Sequence, residues 1–426
     1  MAHVHVIGAG LAGLSCAVRL IEAGHTVAIY EAAPHAGGRC RSYYDSKLER
    51  TVDNGNHILL SANTEALDFL SVVGGRNRIS APPGAYFPFV DLANGERWTM
   101  RPNPGPIPWW ILSHDRRVAG TRPYHYLRGL RLLAAKPDST VAQVLYSPDD
   151  PLWERLWKPL TVAILNTEPE HASARLLRRV LLMTLAQGGA KSKPLTATVS
   201  LSDTFIDPAL AYLAQAGTPI HFGQRLRRLE GTRAGIARLD FGKTQVPLGP
   251  DEMVVLAVTA PVASQLLPAL KVPEATRPIV NAHIRLPHRA RLAEGIPYLG
   301  MVGGTAEWLF LRQDVASVTV SAANELVDYG AEDIARIVWR DVARALTLDP
   351  RLRPATRVVK ERRATIAQTP ADLRRRPKPG TPVPNLILAG SWTCTGLPAT
   401  IEGAITSGRT AAKLVTKRMG RYPHRR

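Results

Sequence analysis

Cysteine is almost missing from this chain of 426 residues. Cys16, Cys40 and Cys394 are too few for a disulfide framework, and none stands at metal-ligand spacing, so neither a disulfide-stapled fold nor a metal centre is expected. Such cysteine usage suits a reducing cytoplasm. Also missing is any apolar run of about 18–20 residues, so no membrane-spanning helix is expected. The opening MAHVHVIGAG has neither the charged-then-apolar layout nor the small-residue cleavage site of a signal peptide, and none is expected. Internal repeats and low-complexity tracts are lacking too.

Acidic residues are scarce beside basic ones: 35 Asp and Glu against 54 Lys and Arg leave a net charge of +19. Such an excess favours polyanions. Nucleic acid is the weaker candidate, because no helix-turn-helix, RNA-recognition or zinc-finger pattern accompanies the charge. An anionic membrane face is the other, and each basic residue near it contributes roughly 1 kcal/mol. An arginine-rich composition with no such partner would look the same. With 45% hydrophobic and 21% charged residues, the make-up is that of a soluble globular protein with a sizeable core, in two or three domains or one composite one.

What the chain does have is a glycine pattern near its start. His3–Ile7 reads as a short buried strand. Gly8, Gly10 and Gly13 follow as G-x-G-x-x-G and lead through Leu11 and Ala12 into an Ala/Leu-rich helix over 14–23. A second strand, Thr26–Tyr30, ends in Glu31. In such a βαβ unit the first glycine permits a tight turn and the second lets the backbone approach a pyrophosphate. The third lets helix and strand pack closely, and the helix N-terminus faces the phosphates. Glu31, about 20 residues on, would hold ribose hydroxyls.

Near the other end, 385–389 (NLILA) reads as a further buried strand. Gly390-Ser391-Trp392-Thr393-Cys394-Thr395-Gly396-Leu397-Pro398-Ala399-Thr400 follows, then a helix over roughly 400–419. Gly396 and Pro398 would shape a backbone able to approach a ligand closely. The helix opening at Ala399 and Thr400 would offer free N–H groups and positive potential.

Gly37-Gly38-Arg39 extends the first unit and resembles the GG-R element of the amine oxidase and carotenoid desaturase superfamily of FAD enzymes, whose Arg reaches the FAD phosphates. The C-terminal segment resembles that superfamily's closing motif, strand then GD-x-T-x-x-G-x-P-A-T-x-E-G-A, which runs along the isoalloxazine ring. One position departs: the family's Asp, which accepts hydrogen bonds from the ribityl chain, is Ser391 here. Replacing a charged partner by a neutral one should cost about 1 kcal/mol, so weaker FAD retention is expected. No second G-x-G-x-x-G and no redox C-x4-C occurs, against a disulfide reductase with its own NAD(P)H domain.

The resemblance implies an α/β fold: an FAD-binding Rossmann-like domain of the amine oxidase/phytoene desaturase type, with an interleaved α+β substrate domain. The FAD domain should be discontinuous, over 1–75, 205–260 and 382–426, and the substrate domain should fill 76–204 and 261–381. Pro377, Pro379, Pro382 and Pro384 mark the return crossing as a stiff, extended linker.

Asp53-Asn54-Gly55-Asn56-His57, followed by Ile58-Leu59-Leu60, resembles the D-N-G-x-H-hydrophobic element of the hydroxysqualene dehydroxylases, the squalene-associated flavoproteins of hopanoid synthesis. Trp157-Lys158-Pro159-Leu160, Leu165-Asn166-Thr167, 201–207, 254–258 and Trp308-Leu309-Phe310 are similar as well, so the resemblance runs along nearly the whole chain. Residues 223–229 resemble the family strand that meets the adenine, with Leu226 at the contact. The residues alone leave other readings open: Asn54-Gly55 as a hairpin turn, Asn166 as the cap of a helix around 168–182, and 254–258 as a core strand.

That family removes a hydroxyl reductively, turning hydroxysqualene into squalene as reduced FAD becomes FAD. The alcohol is allylic, so its ionisation gives a delocalised cation that a hydride from the flavin quenches. The protein must supply a proton for the departing water and a dry apolar tunnel. His57 is the candidate donor, with Asp53 orienting it or holding a water. The implied partners are a long-chain isoprenoid, an upstream hydroxysqualene synthase and an electron donor. Two rivals share the fold: a carotenoid-type desaturase of phytoene or dehydrosqualene, and a prenyl-lipid-binding escort protein without flavin. Product analysis separates the two enzymes, and flavin colour excludes the escort.

Residues 101–136 hold seven basic residues (Arg101, Arg116, Arg117, Arg122, Arg128, Arg131, Lys136) and one acid, Asp115. Prolines at 102, 104, 106 and 108 precede Trp109-Trp110-Ile111-Leu112, and 124–135 reads as a helix with Leu127, Leu130 and Leu133 toward one side. Paired Trp beside Arg116 and Arg117 suits a bilayer interface, unless both rings are buried in the substrate domain. The basic tail over 417–426 would add attraction. The expectation is a cytoplasmic protein held peripherally on the inner membrane.

Overall fold

The computed structural model describes residues 3–420, so the end of the basic tail lies outside the described residues. Strand His3–Ile7 (β1) and strand Thr26–Tyr30 (β2) pair in parallel from His3↔Thr26 to Ile7↔Tyr30. Helix Leu11–Glu22 (α1) between them begins three residues before the glycine spacing predicts. Gly10 is extended (φ −76°, ψ 175°) and serves as its N-cap, so helical geometry starts at once with Leu11.

Five parallel strands form the first sheet, in the order Ile220–His221, β2, β1, Met253–Leu256, Leu386–Leu388. They are short and apolar because both faces are covered. On one face Val4, Val6, Val27, Ile29 and Val255 pack under α1 and the C-terminal helix Ile401–Met419. On the other, Ile7, Val254, Leu256 and Leu388 meet Leu226, Leu239 and Phe241, the last two in or beside the antiparallel strands Arg228–Thr232, Gly235–Asp240 and Gln245–Pro247.

A second sheet of seven strands runs Thr356–Ile366, Thr276–Arg285, Val315–Val320, Trp308–Arg312, Tyr298–Val302, Phe87–Asp91, Arg97–Met100. Side chains alternate across it. Val280, Ala282, Ile284, Leu309, Ala316 and Val318 are buried with Ile334, Val338, Trp339 and Val342 of helix Ala331–Leu346. The intervening Ile279, Asn281, His283, Ser317 and Thr319 point the opposite way, and several of them reach the cavity described below. A third core, with Trp98, Trp110, Trp153 and Trp157, gathers the short helical segments of 109–183.

Three local expectations change. Residues Pro123–Ala134 run as successive 3₁₀ turns rather than an α-helix. Trp110 is buried, in edge contact with Tyr126 (5.2 Å), so only Trp109 of the pair faces outward. Arg117 spends its guanidinium on the carbonyls of Ile111, Leu112 and Thr121. Among the described residues no helix is long and apolar enough to cross a membrane.

Candidate active site

A cavity of about 730 Å³ opens at the C-terminal ends of the parallel strands and extends to the seven-stranded sheet. In open parallel sheets this crevice is where ligands bind. One wall is glycine-rich backbone: Gly8, Gly10, Leu11 and Ala12, then Gly38, then Gly390 and Ser391, with Ala399 and Thr400 opening the C-terminal helix. Gly8 has φ +111°, and a Cβ there would stand 2.5 Å from the Ala257 carbonyl oxygen. A Cβ on Gly10 would meet nothing within 4 Å, so this is backbone a ligand can approach. Gly13 lies outside the cavity. Its Cβ would sit 1.9 Å from the Gly8 oxygen, which makes it the packing glycine of the motif.

No side chain caps the first turn of α1, whose N–H groups and positive dipole end face the cavity. Glu31 is fixed at the rim: Oε2 accepts from the Ala9 N–H and Oε1 from the Ala33 N–H, each at 2.8 Å. Leu226 lines the same end. Arg39 leans along the wall, donating to the Ala364 carbonyl, with Nη2 3.5 Å from Ser391 Oγ. Exposed only into the cavity, this guanidinium is desolvated by the walls and held below its ordinary pKa, opposed by the charge of Glu361.

The loop 390–399 is held from behind by a residue that the sequence did not single out. Arg376 is buried and donates to the carbonyls of Thr393 (2.9 Å) and Leu397 (2.7 Å), to the Ser391 carbonyl and to Thr395 Oγ1. Burial lowers its pKa to about 10, so it stays charged at neutral pH. Gln368 adds a second tie, accepting from the Ala399 N–H (2.9 Å) and donating to the Leu165 carbonyl (2.8 Å). Gly396 and Pro398 do not line the cavity; with Gly396 at φ +74°, they form the turn these ties secure.

Facing the glycine wall stands a polar bank, Asn54, Asn56, His57, Asn281 and Thr319. Asn56 Nδ2 donates to Thr319 Oγ1 (3.0 Å), Thr319 Oγ1 donates to Asn281 Oδ1 (2.8 Å), and Asn281 Nδ2 donates to the Asn54 carbonyl (3.3 Å). Every link has a fixed direction, so the amide of Asn56 is oriented. His57 opens on the cavity. Its ring is exposed, but only into the cavity, whose walls desolvate it and hold its pKa below the ordinary value, Asp53 raising it and Arg39 lowering it further, so the ring is mostly neutral at neutral pH.

Asp53 does not orient His57. Its Oδ1 accepts from Ser42 Oγ (2.6 Å) and the Leu201 N–H (2.9 Å), and its Oδ2 from Arg312 (2.8 Å). Buried outside the cavity, it acts on the imidazole through charge alone and locks three chain segments together. Asn166 likewise does not cap the following helix. It ends Lys158–Leu165 in the left-handed region (φ 46°) and ties Arg277, Thr365 and Ala322, while Ser173 caps Ala174–Met183.

The two sheets and the uncapped, glycine-walled crevice between them define a flavin-binding oxidoreductase. Residues 11–416 match the family model of flavin-containing amine oxidoreductases, and the chain belongs to that family. Within it the chain stands with the hydroxysqualene dehydroxylases. It is 42% identical over 412 residues to that of Sinorhizobium fredii, covering 97% of this chain and 98% of the relative. It is 41% identical over 415 residues to that of Zymomonas mobilis, covering 97% and 99%. A zeta-carotene desaturase of Synechococcus elongatus is 24% identical over 480 residues, so carotenoid desaturases are only distant kin. An oxidoreductase from Methanosarcina mazei superposes with a TM-score of 0.71 at 14% identity, covering 96% of this chain and 100% of that one, which shows the common fold.

Proposed function

We propose that this protein is an FAD-dependent enzyme that reductively removes the hydroxyl of hydroxysqualene to give squalene, in squalene and hopanoid synthesis. The observation that carries this reading is the polar bank facing the glycine wall. A desaturase acting on a pure hydrocarbon has no hydroxyl for such groups to recognise, whereas an alcohol substrate needs both a donor and an acceptor at the reacting carbon.

FAD rather than a mononucleotide fits the length of the crevice. Glu31 and Leu226 at one end suit a ribose and adenine, α1 suits a pyrophosphate, and Ser391 and Thr400 flank the far end. Reduced FAD, when bound, supplies the hydride. The chain's own groups do the rest. The amide N–H of Asn56 is taken up by Thr319, which leaves Oδ1 to accept from the substrate hydroxyl. His57 in its imidazolium form would give the departing oxygen the proton it needs to leave as water; because its pKa is lowered, that form is a minority at neutral pH and grows as pH falls. Apolar Ile279, Val258 and Ile401 keep water from the allylic cation.

The test is anaerobic. Protein loaded with FAD and photoreduced should convert hydroxysqualene to squalene with matching reoxidation of the flavin. Oxidised protein should leave phytoene unchanged. Desaturated phytoene, or reduced protein that returns hydroxysqualene intact, would overturn the reading. A preparation that binds no flavin on titration would remove the cofactor as well.

A further inference from the structure

We propose that the face formed by residues 107–133 docks on an anionic lipid bilayer. The observation behind it is a three-residue periodicity in exposure. In a 3₁₀ helix, side chains three apart eclipse, so the twelve residues Pro123–Ala134 present three columns. Tyr126, Gly129 and Leu132 turn inward. Leu132 is 2% exposed, and a Cβ on Gly129 would come within 3.0 Å of the Trp157 ring, so this column lies flat on the protein. His125, Arg128 and Arg131 form a polar column, in which Arg128 is paired with buried Asp150 and the exposed Arg131 carries the cation. Tyr124, Leu127, Leu130 and Leu133 form the third, an apolar ridge whose members are 56–60% exposed.

The same apolar spacing on an α-helix would drift by about 60° at each step and spread around the cylinder. Here it stays in line. The ridge is also held from below, since Arg178 donates to the carbonyls of Leu132 and Leu133. Beside it, joined through the Trp110–Tyr126 contact, the segment around Trp109–Leu112 exposes Ile107, Trp109 and Leu112. Of fifteen large hydrophobic side chains exposed among the described residues, seven fall within 107–133. Scattered apolar residues are ordinary on a surface, but a concentrated and rigid set marks an interface.

Charge selects the occupant. Residues 101–136 carry seven basic residues and one acid; Arg101 pairs with Glu294, Arg128 with Asp150 and Arg117 serves carbonyls, while Arg116, Arg122, Arg131 and Lys136 turn to the surface. Arg116 stacks over the exposed Trp109 ring at 4.8 Å, and Arg131 is exposed between ridge leucines. Apolar side chains flanked by cations, with an indole at the margin, match the acyl and headgroup layers of an anionic leaflet. The proposal does not depend on the reaction assigned above, although a water-insoluble substrate would reach the enzyme from such a surface.

Co-sedimentation of the FAD-loaded chain with vesicles tests it. Wild type should bind vesicles containing phosphatidylglycerol and release them at high salt, and should bind phosphatidylcholine vesicles weakly. Leu127→Ser/Leu130→Ser/Leu133→Ser should lower the partition coefficient at least about tenfold. Arg116→Glu/Arg131→Glu should weaken binding to anionic vesicles only. The three leucines and Arg131 are exposed and Arg116 is half-buried against Trp109, so flavin absorbance and circular dichroism should match wild type in both variants. Failure of wild type to bind anionic vesicles, equal binding to both lipids, or a triple variant that binds as wild type would each overturn the proposal. So would a wild-type dimer that the leucine substitutions turn into a monomer without vesicle binding, because the ridge would then serve a second copy of the chain.

Discussion

Ser391 and Arg39 meet at 3.5 Å on the cavity wall, a buried hydroxyl beside a guanidinium that opens on the cavity. In the proposed FAD site the hydroxyl would offer the ribityl chain one neutral partner, and the guanidinium donates to the Ala364 carbonyl instead of a carboxylate. Ser391→Asp should therefore give both groups a charged partner at once. Hydrogen bonds to charged groups exceed neutral ones by about 1 kcal/mol, so FAD should bind about fivefold more tightly. Fluorescence titration of the flavin-free variant measures this. Unchanged or weaker affinity would mean that position 391 does not face the ribityl chain. Arg376 needs no such improvement: its ties to three carbonyls already set the loop that carries Ser391.

At the scale of elements, the site depends on how closely two helices cross. A Cβ on Gly408, in Ile401–Met419, would stand 2.2 Å from the Ala12 carbonyl oxygen and 2.9 Å from the Cys16 nitrogen of α1. Both are backbone atoms, so the helices must separate. Gly408→Ala should cost about 1–3 kcal/mol in stability and, because the first turn of α1 lines the cavity, lower the flavin occupancy as well. A melting temperature and flavin content equal to wild type would show that the crossing has slack. This element pair was legible in the sequence because its signals are local: glycine spacing and a helix dipole lie within a few residues of what they position. The partners of Asp53 were not legible, since Ser42, Leu201 and Arg312 converge only through the fold. Arg376 was hidden among Arg374-Arg375-Arg376, where nothing local says which of the three turns inward. The apolar spacing of Leu127, Leu130 and Leu133 was visible, but whether a three-residue repeat winds as an α or a 3₁₀ helix depends on the surface beneath it.

For the whole molecule, the seven-stranded sheet sets how stability responds to acid, through two groups that oppose each other. His283 is wholly buried against Ser317, and burial lowers its pKa to about 4. Its unfolded value is about 6.5, so as pH falls below that the unfolded chain binds a proton that the native chain refuses, and stability is lost. Glu307, at the mouth of the neighbouring strand pair, is raised to about 7 by burial, with the Ser321 N–H opposing. Its native form holds a proton more tightly than the unfolded chain does, so its contribution is present at low pH and is lost as pH rises through 7. Each amounts to about 3 kcal/mol, and over roughly pH 4.5–6.5 the two cancel in wild type. Removing either should expose the other. Relative to wild type, Glu307→Gln should lose about 3 kcal/mol as pH falls from 7 to 4.5, and His283→Gln should gain about as much as pH falls from 6.5 to 4. Denaturant unfolding followed across that range, as differences from wild type so that all other titrations drop out, decides it. Three parallel profiles would show that neither group differs between the native and unfolded chain.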